Sequence, residues 1–134
     1  MREFKLQIVT PDGIVYDGAA TSITVHTDDG DAQFLAGHVD YMGSVGTGRT
    51  RIILPDGKVR EASTSGGFLS VSHGEVKLVA VTFEFREDID LDRAKAAKEK
   101  AEKALTEAKD RRSEEIAEAK LLRALNRISV GESR

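Results

Sequence analysis

Asp88-Ile89-Asp90-Leu91-Asp92-Arg93-Ala94 decides how this chain folds: the residues before it read as β structure, and those after it read as helix. Asp90 is placed to cap a helix, because its carboxylate can accept from the free N–H groups of a first turn. Ile89 before it and Ala94 after it can form a small hydrophobic staple. Asp92 puts negative charge near the positive end of the helix dipole. Ala, Lys, Glu and Leu then run almost unbroken to Ala108, and all are strong helix formers. From there Pro and Gly are absent until Gly131.

Composition changes across the same stretch. All seven aromatic residues lie between Phe4 and Phe85, both prolines before residue 56, and eleven of the twelve glycines before residue 75. Residues 1–87 hold 8 Lys and Arg against 12 Asp and Glu, residues 88–134 hold 12 against 11, and the whole chain carries −3. We therefore expect a β domain over 1–87 and a helical domain over 88–134. The first can build its own core. The second has no aromatics and many alanines, so it can bury only a thin stripe. The charge gives no reason to expect nucleic-acid binding. The absence of cysteine excludes disulfides and thiolate metal sites. Met1 to Val9 alternate polar and apolar without a signal-peptide core, and no stretch is long enough to span a bilayer. A soluble, cytoplasmic protein is expected.

In the first part, Phe4, Leu6 and Ile8 share one face of a strand. Pro11-Asp12-Gly13 is a turn. Ile14–Tyr16, Ile23–Val25 and Asp31–Leu35 read as short strands, with Asp28-Asp29-Gly30 turning between the last two. Ala36–Gly48 reads as irregular or broken strand. Pro55-Asp56-Gly57 joins Arg49–Leu54 to Lys58–Ser63, and Ser72-His73-Gly74 joins Gly67–Val71 to Glu75–Phe85, as two hairpins. Apolar positions in the last strand switch phase near Leu78–Val79, which suggests a bulge or a change of face. The expected class is α+β: an antiparallel β-sandwich or flattened barrel, then an antiparallel two-helix hairpin. With no βαβ alternation, a parallel sheet is not expected.

In the second part, Lys109-Asp110-Arg111-Arg112-Ser113 interrupts the stripe Leu91, Ala94, Ala97/Lys98, Ala101, Leu105, Ala108. Ser113 is expected to cap a second helix, whose apolar face would be Ile116, Ala119, Leu122, Leu125 and Ile128. Alanines allow close approach but bury little area, at about 25 cal/mol per Å². The hairpin should be weakly held and able to open.

Arg123 and Arg127 share a helix face. Mirror counting about residue 111 sets residue 93 opposite about residue 129, which gathers Arg93, Arg123 and Arg127 near Asp90. Arginine grips phosphate with two parallel hydrogen bonds, so this group suits a polyanion. The plainer reading is solvated arginines paired loosely with Glu84, Glu87 or Asp92. Asp90 can be a cap, a ribose or amine contact, or both. Asp28-Asp29-Gly30-Asp31 lacks the later bidentate Glu of a calcium loop. Gly46-Thr47-Gly48-Arg49-Thr50 lacks the Gly-Lys-Ser/Thr of a phosphate loop. His26, His38 and His73 are scattered. Neither a metal site nor a catalytic constellation is expected.

Four stretches together resemble one family, the epsilon subunit of the rotary proton-translocating ATP synthase of bacteria. Phe34-Leu35-Ala36-Gly37-His38 resembles its Ile-Leu-Pro-Gly-His, with Ala36 in place of proline. Gly66-Gly67-Phe68-Leu69-Ser70-Val71 resembles its Gly-Gly-Phe-Leu-Glu-Val. Ile89-Asp90-Leu91-Asp92-Arg93-Ala94 is similar to the Ile/Leu-Asp-x-x-Arg-Ala motif that binds ATP in some members. Arg123-Ala124-Leu125-Asn126-Arg127 resembles the matching end of the second helix.

The resemblance implies a non-catalytic subunit at the foot of the central stalk. It would bind the gamma subunit and touch the ring of c subunits, peripheral to the cytoplasmic face of the inner membrane and not inserted in it. The hairpin would fold down on the sandwich, or extend into the alpha/beta catalytic head and block ATP hydrolysis. ATP would favour the folded-down form through Glu84, Ile89, Asp90, Arg93, Ala94, Arg123 and Arg127. Lys100 stands where the family has a further arginine, and so lacks the planar fork. Asp28–Tyr41 would face the ring, and Val39-Asp40-Tyr41 departs from the commoner pattern there. Lys95, Lys98, Arg111, Arg112 and Lys120 would be available to acidic surface in the head. Two rival readings stand beside this one. One is the same subunit with purely structural helices and no ATP binding. The other is a free-standing β-sandwich binding module with a helical oligomerisation tail.

Overall fold

The structure, a computed structural model, describes residues 2–133. Two compact units divide it, one ending at Phe85 and the other beginning at Arg86. The first contains strands β1 (Phe4–Thr10), β2 (Gly13–Ala20), β3 (Ser22–Thr27) and β4 (Gly30–Leu35). It continues with β5 (Tyr41–Ser44), β6 (Gly48–Ile53), β7 (Val59–Ser72) and β8 (Glu75–Phe85). The second contains a 3-10 turn at Arg86–Asp88 and helices α1 (Leu91–Glu107) and α2 (Arg111–Glu132).

Hydrogen-bonded neighbours run in the order β2-β1-β8-β7-β6-β3-β4, with β5 pairing the second half of β7. The alternation in β1 does what its pattern requires: Phe4, Leu6 and Ile8 are buried. They join Ile23, Val25, Ile52, Leu69 and Leu78 in one core. Among the described residues, all pairings are antiparallel except β1 with β8, where Leu6 lies beside Val76 in a parallel pair. A parallel pair needs a long connection, and here the intervening strands supply it in place of a helix.

Two expected strands, Lys58–Ser63 and Gly67–Val71, are one continuous strand, β7. Gly66 and Gly67 make this possible, with φ of +66° and +116°. A Cβ on Gly67 would collide with the Val79 carbonyl oxygen of the adjacent strand, so only glycine fits. The pairing of β7 with β8 keeps one register, without a bulge, from Ala62 opposite Phe85 to Ser72 opposite Glu75. The buried face of β8 changes between Ala80 and Phe83, where Val81 turns outward beside Gly66. This is later than the expected Leu78–Val79, because the turning point is set by the glycines of the partner strand.

Asp90 caps α1 as expected, accepting the Arg93 N–H at 3.1 Å. The second cap is Asp110 and not Ser113: Asp110 Oδ1 accepts the Ser113 N–H at 2.7 Å. A cap accepts from the third residue beyond it, so the carboxylate takes the role and Ser113 becomes the donor. The link shortens to residues 108–110.

On α1 the buried stripe is the expected one, centred on Ala94 and Ala101. On α2 it is not. The buried residues are Ala117, Ala124 and Val130, with Leu121 and Ile128 half-buried. Ile116, Leu122 and Leu125 are 47%, 53% and 43% exposed. At about 3.6 residues per turn, steps of three fall about 60° short of a full turn, so the expected ladder winds around the helix. Alternating steps of four and three, as in 117, 121, 124 and 128, stay on one face. At the open end of the hairpin, a Cβ on Gly131 would lie 2.7 Å from Leu91 Cδ2 and 3.2 Å from Ile89 Cγ2. Glycine there lets α2 close against the residues that begin α1.

Candidate functional site

A groove of about 250 Å³ runs between α1 and α2. Its floor is Ala97, Ala101, Ala104 and Ala124, and its walls are Lys100, Lys120, Arg123 and Arg127. The spacing produces it directly. Residues 97, 101 and 104 share a face of α1, and residues 120, 123, 124 and 127 share a face of α2. Methyl groups bring the helices together and leave a trough. The longer side chains lay their stems along it and carry their charge at the rim.

Every charged residue in this lining is cationic. Lys100 and Lys120 are exposed, while Arg123 and Arg127 are half-buried. Lys95 is held at 3.8 Å by Glu132, and Arg111 at 3.0 Å by Glu115. Among the described residues, Lys100, Lys120 and Arg123 form no such ion pair. Like charges brought together repel, and an anion in the groove would relieve that repulsion.

The residues singled out from the sequence divide around this groove. Arg123 and Arg127 line it, together with Lys100. Arg93 is exposed in the first turn of α1. By helical spacing it shares a face with Ala97, Lys100 and Ala104, one turn beyond the lining. The lining sets Ala97 with Arg127, Ala101 with Arg123 and Ala104 with Lys120, and Gly131 lies against Leu91, close to the expected count about residue 111. Arg93 falls near the last turn of α2, beyond Arg127, close to the expected place opposite residue 129. Asp90 is engaged as the α1 cap. Ala94 is buried in the helix seam, and Ile89 is half-buried beside Gly131. Glu84 belongs to the other unit, half-buried on β8 opposite Ser63.

Sequence reasoning missed Lys120 as a groove residue. It precedes Arg123 and Arg127 by three and seven positions, the same arithmetic that pairs the two arginines, so the signal was present. It also missed the alanine floor as a recess, because that depends on how closely two helices approach.

The histidines serve local structure. His26 Nδ1 lies 3.0 Å from Asp31 Oδ1 across the β3–β4 hairpin. The His38 ring packs against Phe34 and Tyr41, with centroids 4.9 and 6.1 Å away. Among the described residues, no group of three or more His, Cys, Asp or Glu is gathered as a metal site requires. No helix of the described residues is long and apolar enough to cross a membrane. Around the β4–β5 connection, Leu35, Val39, Tyr41 and Met42 are 43%, 76%, 39% and 71% exposed.

Fold and groove together define a two-module protein, a β-sandwich unit followed by a cationic helical hairpin. Residues 3–86 match the family described as "ATP synthase, Delta/Epsilon chain, beta-sandwich domain", and residues 87–132 match "ATP synthase, Delta/Epsilon chain, long alpha-helix domain". The chain is 39% identical over 130 residues to the ATP synthase epsilon chain of Bacillus velezensis, covering 97% of this chain and 98% of the relative. It is 36% identical over 133 residues to that of Lactobacillus delbrueckii subsp. bulgaricus, covering 95% and 91%. A chain in the Euglena gracilis mitochondrial ATP synthase shares the fold, with a TM-score of 0.77 at 24% identity over 90% of this chain and 76% of that one. This protein belongs to the ATP synthase epsilon-subunit family. It is a non-catalytic subunit of that complex.

Proposed function

We propose that the subunit works in the central stalk as an ATP-responsive regulator of the rotary motor. The β-sandwich holds the gamma subunit and meets the c ring at the cytoplasmic face of the inner membrane. The hairpin binds ATP when folded down, and restrains ATP hydrolysis when it extends into the alpha/beta head. The observation that carries this reading is the groove between α1 and α2, recessed, floored by alanine and walled only by cations.

The donor set fits a nucleoside polyphosphate. Guanidinium forks grip phosphate oxygens in pairs, and lysine adds mobile point charge. Arg93 joins Arg123 and Arg127 from the facing helix. Asp90, Ile89 and Ala94 would border the nucleoside, and Glu84 would join from the sandwich in the folded-down form. The exposed apolar group at Leu35, Val39, Tyr41 and Met42 suits contact with the ring. The Euglena assembly, whose description includes F1 and a c-ring, agrees with a position between them.

A ligand that binds only the closed form stabilises it by RT ln(1+[L]/Kd), about 2.7 kcal/mol at a hundredfold excess over Kd. A seam of alanines contributes energy of that order, so ATP can decide which form prevails. Isothermal titration of the full chain with ATP is the test. Binding should be saturable and should be lost when Arg93→Ala is combined with Arg127→Ala. No binding at millimolar ATP, or undiminished binding by the double variant, rejects the proposal.

A further inference from the structure

We infer that Lys120, acting with Lys100, grips the terminal phosphate in the groove and sets the preference for a triphosphate over a diphosphate. This rests on the reading of the hairpin as an ATP site. Lys120 is not among the residues that the family motifs carry onto this chain, and the groove itself brings it in.

The proposed sugar contact at Asp90 fixes the direction of the ligand. Asp90 and Asp92 stand at the open end of the hairpin and Glu107 and Asp110 at the link, and carboxylates repel phosphate, so the cationic stretch between them is where phosphate is held. The lining of the groove contains no acid. A nucleotide with its sugar near Asp90 therefore runs its phosphates away from that end, toward the link. The lining orders the cations along this path: Arg127 lies with Ala97 toward the open end, Arg123 with Ala101 in the middle, and Lys120 with Ala104 toward the link. Arg127 and Arg123 meet the phosphates nearest the sugar, and Lys120, with the flexible Lys100 one turn away on the facing helix, meets the last one. Arg127 and Lys120 are separated by about 10 Å along α2, from a rise of about 1.5 Å per residue. That is the scale of an extended nucleotide phosphate chain.

The chemistry also fits. Lys100 brings one charge without a planar fork, so one lysine alone grips a terminal phosphate weakly. A second lysine from the facing helix restores the lost contact. Both are exposed, and their flexible stems can follow the least constrained phosphate.

The test is titration of the full chain and of Lys120→Gln and Lys120→Arg with ATP and with ADP, alongside helical circular dichroism to confirm folding. Lys120→Gln should weaken ATP binding roughly tenfold, the equivalent of about 1.4 kcal/mol, while changing ADP binding much less. The ATP-to-ADP preference should fall accordingly, and Lys120→Arg should preserve it. If the unaltered chain binds ATP but Lys120→Gln leaves that ratio unchanged, whether by losing both ligands equally or neither, the role of Lys120 is overturned and the ATP site stands. If the unaltered chain binds no ATP, the site and the inference fall together.

Discussion

Two aspartates begin the two helices, and their carboxylates do the same work. Asp90 accepts from the Arg93 N–H and Asp110 from the Ser113 N–H. The Ser113 backbone N–H holds the Asp110 carboxyl below the usual carboxylate range. A folded-state pKa that is depressed gives stability that is present above the unfolded value and lost as pH falls through the folded one. The helical signal of the hairpin should therefore decline on acidification below the ordinary carboxylate range. Asp110→Asn should remove that component of the decline, as read by circular dichroism against pH at a fixed denaturant concentration. Asp90 was readable, although Asp88 and Asp92 flank it, because Ile89 before it and Ala94 after it suit a staple around that position. Asp110 was not, because Ser113 is an equally good capping residue by type, and only the backbone path decides which one accepts.

At the scale of the element, the hairpin is held by small side chains. Ala94, Ala101, Ala117 and Ala124 are each 2–3% exposed. Ala101 and Ala124 meet in the floor of the groove, and Ala117 lies nearer the link with Ala104 and Ala108. Enlarging one member should force the helices apart. Ala124→Leu should destabilise the closed hairpin by about 1–3 kcal/mol through overpacking. It should also disturb the floor of the groove, so ATP affinity in titration should drop with the helical melting point. An unchanged ATP affinity would separate the floor from the binding site. Both helices and their break were legible from composition and spacing. The face of α2 was not: its largest apolar residues invite a stripe that the helical period does not allow on one side, and alanine gives little hydropathy signal even where it forms the seam.

At the scale of the molecule, the two units have separate cores, and all the residues of the main core cluster lie in the first unit. A chain ended after Glu87 should keep a cooperative thermal transition in the sandwich and lose ATP binding. Broad, non-cooperative melting of that piece would show that the sandwich needs the helices to fold. The strands and hairpin turns of this unit were visible as alternation and Gly/Asp/Pro punctuation. The neighbour of β1 was not visible, since no local pattern states which distant strand it will meet.

That partnership also governs timing. β1 is flanked by β2 and β8, so during synthesis this strand waits for the last strand of its unit before the sheet can close on both its sides. The helices, by contrast, meet through contacts close in sequence, which form fastest. Synthesis thus delivers a sandwich that matures late and a hairpin that assembles almost as soon as its final turn is released.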